Sequence, residues 1–268
     1  MPERVLYAAV LALLYACSGP PAAPDAGDAA PPSDAGRRDA GSPLPSAAEL
    51  LDPSRYDCRA GSVEPPLRPH PPGCLFDPTC ASRLVAAHRM GTPFAPENSL
   101  SALRASILLG VDVVETDVRL TSDGKVVLLH DGDVDRTLIG TGAVGAMTLA
   151  EVQTLAMRID SDLPLGDFAC DRIATLDEVF AIARGRIVVE LEVKELAAGV
   201  ATAIYLRDQD LFADAFLLCD PDECAAARAM VPDVPIMTRP RTPEDVAAEI
   251  LYDPAPALVH VDVTPPFL

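Results

Sequence analysis

Residues 84–131 read LVAAHRMGTPFAPENSLSALRASILLGVDVVETDVRLTSDGKVVLLHD, and the order of apolar runs and breakers inside them decides the fold. Leu84–Ala87 is a short apolar run that reads as a buried strand and delivers His88 at its end. Residues 96–109 open with Pro-Glu-Asn-Ser; Leu100, Leu103 and Ile107 then recur at helical spacing until Gly110 stops the helix. Val111–Leu120 reads as a second strand, Ser122-Asp123-Gly124 as a tight turn and Lys125–His130 as a third strand. Buried strands with intervening amphipathic helices predict a parallel α/β sheet, open or closed.

The same stretch carries titratable groups at its strand ends. Side chains alternate faces along a strand, so Glu115 and Asp117 project to one side. Two like charges that close repel unless a cation lies between them. A surface salt bridge to Arg89 or Arg119 is the competing reading. Val113, Val114 and Val118 surround the pair, however, and unpaired carboxylates on a buried strand are costly. Hard oxygen ligands favour Ca²⁺ or Mg²⁺. His88 and His130, two of four histidines, both end apolar strands with those carboxylates between them, and histidine titrates where it can serve as base or acid. Glu192-Val193-Lys194 adds a further acid–base pair at a strand end. Together they point to metal-assisted hydrolysis of a phosphate ester. His70 and His260 receive no role.

Flanking composition bounds the rest. Of 268 residues 49% are hydrophobic and the net charge is −19, which leaves no basic stripe for nucleic acid. Trp is absent and aromatics are 4%, so a stacking platform is not expected. Residues 1–17 read as an export signal: Arg4, then an apolar run from Val5 to Ala16 too short to span a membrane, ending Leu14-Tyr15-Ala16-Cys17. That ending resembles a bacterial lipoprotein processing box with Cys17 as the lipidated residue, although Tyr15 stands where a small residue is usual. Residues 18–46, nearly all Ala, Pro, Gly, Asp and Ser, read as a disordered tether. The expected location is the bacterial cell envelope, lipid-anchored and either periplasmic or surface-exposed. Residues 47–82 form a Cys- and Pro-rich lead-in. Beyond Cys17 six cysteines remain (Cys58, Cys74, Cys80, Cys170, Cys219 and Cys224), an even number that predicts disulfides without fixing their pairing. No tight CxxC pair favours zinc.

Several spaced motifs, in order, resemble the glycerophosphodiester phosphodiesterase family, within the PI-PLC-like phosphodiesterase superfamily. The family reads His-Arg-Gly, Pro-Glu-Asn, Glu-x-Asp-Val, Thr-x-Asp-Gly, His-Asp and Asp-Arg-Thr. This chain has His88-Arg89-Met90, Pro96-Glu97-Asn98, Glu115-Thr116-Asp117-Val118, Thr121-Ser122-Asp123-Gly124, His130-Asp131 and Asp135-Arg136-Thr137. IATLDEVF (173–180) and ELEVK (190–194) are similar to two further family segments. The likeness is strong over residues 83–195 and weak beyond. It implies a TIM-type (β/α)8 barrel over residues 83–268 with its site at the C-terminal strand ends. It implies His88 and His130 as general acid/base pair, with His88 preferred as base. Glu115, Asp117 and Glu192 become metal ligands, Glu97 a ligand or outer-shell partner, and Arg89 and Lys194 the phosphate-neutralising groups. The substrate implied is a small glycerophosphodiester, cleaved by water or by its own neighbouring hydroxyl to sn-glycerol 3-phosphate and an alcohol.

Three departures qualify this expectation. Met90 stands at the family's glycine, where its side chain would crowd the substrate or reshape the pocket. Ala174 replaces a proline. Glu190 adds a carboxylate on the face of Glu192 and competes as a ligand. Strands are expected at 84–88, 112–118, 125–130, 187–193, about 214–219, about 234–237 and about 257–263, after which the sequence stops at Leu268 without the Trp-Thr strand that closes the family's barrel. The barrel is therefore expected to be incomplete, with about seven strands, unless the Cys-rich lead-in fills the gap. Two alternatives accompany this reading. One is a phospholipase D-like activity on lysophospholipid or sphingomyelin; the other is a non-catalytic surface lipoprotein that keeps the barrel for binding.

Overall fold

The computed structural model describes residues 52–60, 75, 84–92, 94–164 and 166–239, together with the backbone of 258–259. The export signal with Cys17, the tether, Cys74, Cys80, His70 and His260 lie outside the described residues.

Seven strands form one sheet: β1 (Ala86–Ala87), β2 (Val113–Leu120), β3 (Val126–Leu128), β4 (Val188–Val193), β5 (Ala215–Cys219), β6 (Ile236–Thr238) and β7 (Leu258–Val259). The path β1-β2-β4-β5-β6-β7 is parallel throughout. The expected count of seven holds for the sheet, but β3 does not belong to that path. It folds back antiparallel on β2, with Val118 opposite Leu128 and Leu120 opposite Val126. The reason is local: only five residues separate the two strands, enough for a turn and too few for a crossover helix. Gly124, with φ 73°, makes that turn, and its N–H donates to the Thr121 carbonyl at 2.9 Å. Among the described residues β1 pairs only with β2 and β7 only with β6, so the ring stays open.

Helices α1 (Leu100–Leu109), α3 (Leu176–Ala183), α4 (Leu196–Asp208) and α5 (Pro221–Met230) accompany the parallel path, with a single turn, α2 (Leu149–Val152), after β3. Their ends obey local chemistry. Ser99 caps α1, its hydroxyl accepting from Ala102 N–H, and Gly110 closes it at φ 76°. Thr175 and Glu178 form a reciprocal capping box on α3.

Alternation splits the sheet into two chemistries. Val114, Val118, Val189, Leu191, Val193 and Leu217 point toward the helices and are buried with Leu103, Val179 and Leu206 in the main core. Each such side chain contributes about 1.5–3 kcal/mol by leaving water. On the opposite face the register sets Val113 beside Val188 and Glu190 beside Phe216. That face is apolar at one end, where Val113, Val188 and Phe216 cluster, and acidic at the other.

The described part of the lead-in does not add a strand. Pro53–Arg55 is a 3-10 turn, and Tyr56 is buried, stacking on Phe168 with ring centroids 6.4 Å apart. A disulfide joins Cys58 to Cys170, and a second joins Cys219 to Cys224. The first thus fastens the lead-in to the loop before α3.

Candidate active site

The parallel register builds the acidic pole. Glu115 lies beside Glu190 and Asp117 beside Glu192, all on the inward face of β2 and β4. Ligand oxygens of Glu115, Asp117 and Glu192 fall within 4.8 Å of one another. Asp117 is wholly buried and Glu115 nearly so. Glu190 is buried one step away, and the converging group does not include it.

Cationic side chains ring the pole. Lys194 Nζ sits 2.9 Å from Asp117 Oδ1 and 2.6 Å from Glu192 Oε1, and Arg239 Nη1 donates to Glu192 Oε1 at 2.8 Å. Burial alone would raise the Glu192 carboxyl, but hydrogen bonds from Arg239 and Lys194 outweigh it and hold it at about 2. Among the described residues no lysine or arginine side chain donates to Glu115. Burial first, then the neighbouring Asp117 charge, push it up to about 8. Its Oε1 is buried with no partner among the described residues. An orphaned oxygen facing two other carboxylates is the donor set a hard divalent cation fits.

The turn after β1 supplies the next layer. Arg89, Met90 and Gly91 all have left-handed backbones, with φ 48°, 64° and 118°. Such a run is strained for the first two, and it points the Arg89 N–H at Glu115 Oε2, 2.7 Å away. Met90 is fully buried in the main core, and its carbonyl accepts from Ser106 Oγ at 2.7 Å. The expected crowding of the pocket by this side chain does not occur, because the turn directs it inward to the helices. His88, ahead of that turn, is 69% exposed, with Nε2 3.9 Å from Glu115 Oε2.

A ladder of ion pairs spans the site. His130 Nδ1 meets Asp131 Oδ1 at 2.7 Å; Asp131 Oδ2 accepts from Arg136 Nε at 2.5 Å. Arg136 also donates to both oxygens of Glu97, at 2.7 and 2.8 Å, and Glu97 accepts from Arg89 Nη1 at 3.0 and 3.1 Å. Hydrogen bonds from Arg136, then His130, hold the Asp131 carboxyl at about 2. Asp131 is therefore ionised, Nδ1 carries the hydrogen, and Nε2 is left for chemistry. Arg119 braces this arm by donating Nε and Nη2 to the His130 carbonyl at 3.0 and 2.7 Å.

His88, Arg89, Glu97, Glu115, Asp117, His130, Glu192 and Lys194 lie in this region, and Cys17 is outside the described residues. Glu97 is a partner of two guanidinium groups, which places it outside the converging carboxylates. Four participants escaped the sequence reading. Arg136 lies within the Asp135-Arg136-Thr137 motif, and Asp131 follows His130, so both were within reach. Asn98 donates Nδ2 to Asp117 Oδ2 at 2.8 Å while its Oδ1 accepts from Thr116 Oγ1, which fixes the amide's orientation. Arg239, one residue past β6, carries no local signal.

Residues 88–238, more than half of the chain, match the glycerophosphoryl diester phosphodiesterase family. A glycerophosphodiester phosphodiesterase of Caldanaerobacter subterraneus is 41% identical over 113 residues, covering 41% of this chain and 45% of that protein. Human glycerophosphodiester phosphodiesterase 1 is 42% identical over 95 residues, 35% of this chain and 28% of its own length. The chain thus spans less than half the length of these curated relatives. Among solved structures, a glycerophosphoryl diester phosphodiesterase of Parabacteroides distasonis aligns with TM-score 0.57 and 26% identity, over 68% of this chain and 64% of that one. An Oleispira antarctica phosphodiesterase in complex with the product sn-glycerol-3-phosphate aligns with TM-score 0.56 and 26% identity, over 67% of this chain and 74% of its own. The fold is the TIM-type α/β barrel of these structures, left open among the described residues. With motifs, register and family match in agreement, this chain belongs to the glycerophosphoryl diester phosphodiesterase family.

Proposed function

We propose that this chain hydrolyses small glycerophosphodiesters to sn-glycerol 3-phosphate and an alcohol, using a divalent cation, Ca²⁺ or Mg²⁺, at Glu115, Asp117 and Glu192. The observation that carries it is the convergence of those three carboxylates within 4.8 Å, on a buried face ringed by Arg89 and Lys194. A cation bound there would supply Lewis-acid polarisation of a non-bridging phosphoryl oxygen. Arg89, whose Nε lies 3.9 Å from Asp117, and Lys194 balance the remaining phosphate charge. His130, its Nδ1 hydrogen donated to Asp131, presents Nε2 for proton transfer to the leaving alkoxide. His88, exposed beside Glu115, takes the proton from the attacking hydroxyl. The ladder through Arg136 and Glu97 ties the His130 arm to the Arg89 arm, so the two ends of the reaction share one rigid frame.

The test is product release by the purified chain. With Ca²⁺ or Mg²⁺ present it should form sn-glycerol 3-phosphate from glycerophosphocholine or glycerophosphoethanolamine, and a chelator or Glu115→Gln should abolish this. An intact substrate after prolonged incubation with either cation would refute the proposal. We also propose export and lipid anchoring at Cys17, supported by residues 1–46 of the sequence. Labelling with a radioactive fatty acid that survives in Cys17→Ser would count against it.

A further inference from the structure

We propose that Arg239 is a third phosphate-binding cation, held on Glu192 until a divalent ion takes that carboxylate. This rests on the hydrolase reading above and adds a residue from beyond the motif-bearing stretch. Lys194 Nζ at 2.6 Å and Arg239 Nη1 at 2.8 Å both converge on Glu192 Oε1. Together they occupy both acceptor positions of that one oxygen. A divalent ion gripping Glu115, Asp117 and Glu192 would meet these two positive heads at close range, where like charges repel. Lys194 has a second anchor in Asp117 Oδ1, 2.9 Å away. Arg239 reaches the pole through Glu192, so its head is the one that yields to the ion.

The base of this side chain is fixed. Arg239 N–H donates to the Cys219 carbonyl at 3.2 Å, and Cys219, which ends β5, is bridged to Cys224 in α5. The head has room to turn. A cavity of about 210 Å³ lies beside it, lined by Glu192, Lys194, Asp220 and Glu223. Asp220 and Glu223 form a reciprocal capping box on α5, the Asp220 N–H donating to Glu223 Oε2 at 3.1 Å, and this fixes them as walls.

Charge gives the head its task. Arg89 belongs to a ladder with Glu97, Arg136 and Asp131 that is neutral as a unit. Glu115, Asp117 and Glu192, taken with Lys194 and one divalent ion, are neutral as well. Glu190, buried one step along β4, can only add to the negative side. A phosphodiester then brings one more negative charge, and Arg239, already in contact with the pole, is the cation that can meet it. A guanidinium does so with two parallel N–H donors, a fork that matches a pair of phosphate oxygens. The side chain is only 18% exposed, so little water screens that attraction.

The experiment measures two affinities of the full chain by calorimetry: Ca²⁺ alone, then sn-glycerol 3-phosphate at saturating Ca²⁺. Arg239→Gln should bind Ca²⁺ at least about threefold more tightly, because a competing cation has gone, and the phosphate about tenfold more weakly. A phosphate affinity within about twofold of wild type overturns the proposal. So does a loss of Ca²⁺ affinity, which would make Arg239 a positioning group for Glu192 and nothing more. A second arm is run in chelator. There Glu192→Gln releases the head, so inorganic phosphate should bind about fivefold more tightly than to wild type, and adding Arg239→Gln should cancel the gain. No gain, or one that survives in the double variant and so belongs to Lys194, overturns the proposal. Arg239→Lys keeps the charge and loses the fork, and it serves where the Gln variant does not fold. It should hold Ca²⁺ as wild type does and lose about threefold on phosphate; an unchanged phosphate affinity overturns the proposal there too. If the wild-type chain cleaves no glycerophosphodiester, the hydrolase reading fails, while phosphate binding in chelator still judges Arg239.

Discussion

Replacing Arg136 by Gln tests whether the site is one frame or two arms. The guanidinium makes three charge-assisted contacts, at 2.5 Å to Asp131 and at 2.7 and 2.8 Å to Glu97. Its side chain is 47% exposed, so water screens the loss, and stability should fall by only about 1–2 kcal/mol. Catalysis should fall further. Without Arg136, His130 is the side-chain partner left to Asp131 among the described residues, and no hydrogen bond among them ties that pair to Glu97 and Arg89. Loosening an acid/base group by about 1 Å costs roughly 100-fold, so kcat should drop about 10–100-fold with KM changed less. The Asp131 carboxyl, held at about 2 chiefly by Arg136, should rise toward the ordinary range. Lys at 136 should rescue poorly, because one ammonium cannot bridge two carboxylates as a fork does. Added guanidinium ion should restore part of kcat in Arg136→Gln. Steady-state hydrolysis of glycerophosphocholine, beside thermal unfolding of each variant, reads both effects. A kcat within twofold of wild type, with only stability reduced, would refute the positioning argument.

Three further outcomes follow from the same contacts. Burial and Asp117 raise Glu115 to about 8, so the folded metal-free protein holds a proton that the unfolded chain releases near its usual value. Stability should then be highest below about pH 4.5 as far as this group is concerned and be lost as pH rises toward 8; in chelator, Tm should fall over that window, and Glu115→Gln or added Ca²⁺ or Mg²⁺ should flatten the fall. Because the Cys58–Cys170 bridge closes a sequence separation of 112 residues, removing it by paired serine substitution should cost about 2–5 kcal/mol in urea unfolding. Met90→Gly should relieve a left-handed backbone yet empty a buried core position; a net loss of about 1–3 kcal/mol is expected by denaturant titration, with KM unchanged.

Legibility followed the range of the interaction. Gly110 ending α1, Gly124 turning the chain and the inward pairing of Glu115 with Asp117 were readable because each depends on a few adjacent residues. The antiparallel return of β3 was not read from Lys125–His130, although the short turn held the information, because an apolar run looks the same in either direction. Met90 was misjudged for the opposite reason: its rotation into the core depends on three consecutive left-handed residues and on the helix behind them.

The sequence by itself determined which chemical groups are present and on which strand ends they sit, since alternation and turn chemistry are local. Tertiary structure alone decided their partners. The register of β2 with β4 set Asp117 beside Glu192, and the path to β6 brought Arg239 to that same carboxylate from 47 residues away. Charge interactions act through space with a steep dependence on distance and burial. That is why one glutamate in this site is held near 2 and another near 8, although the bare sequence presents them as the same residue.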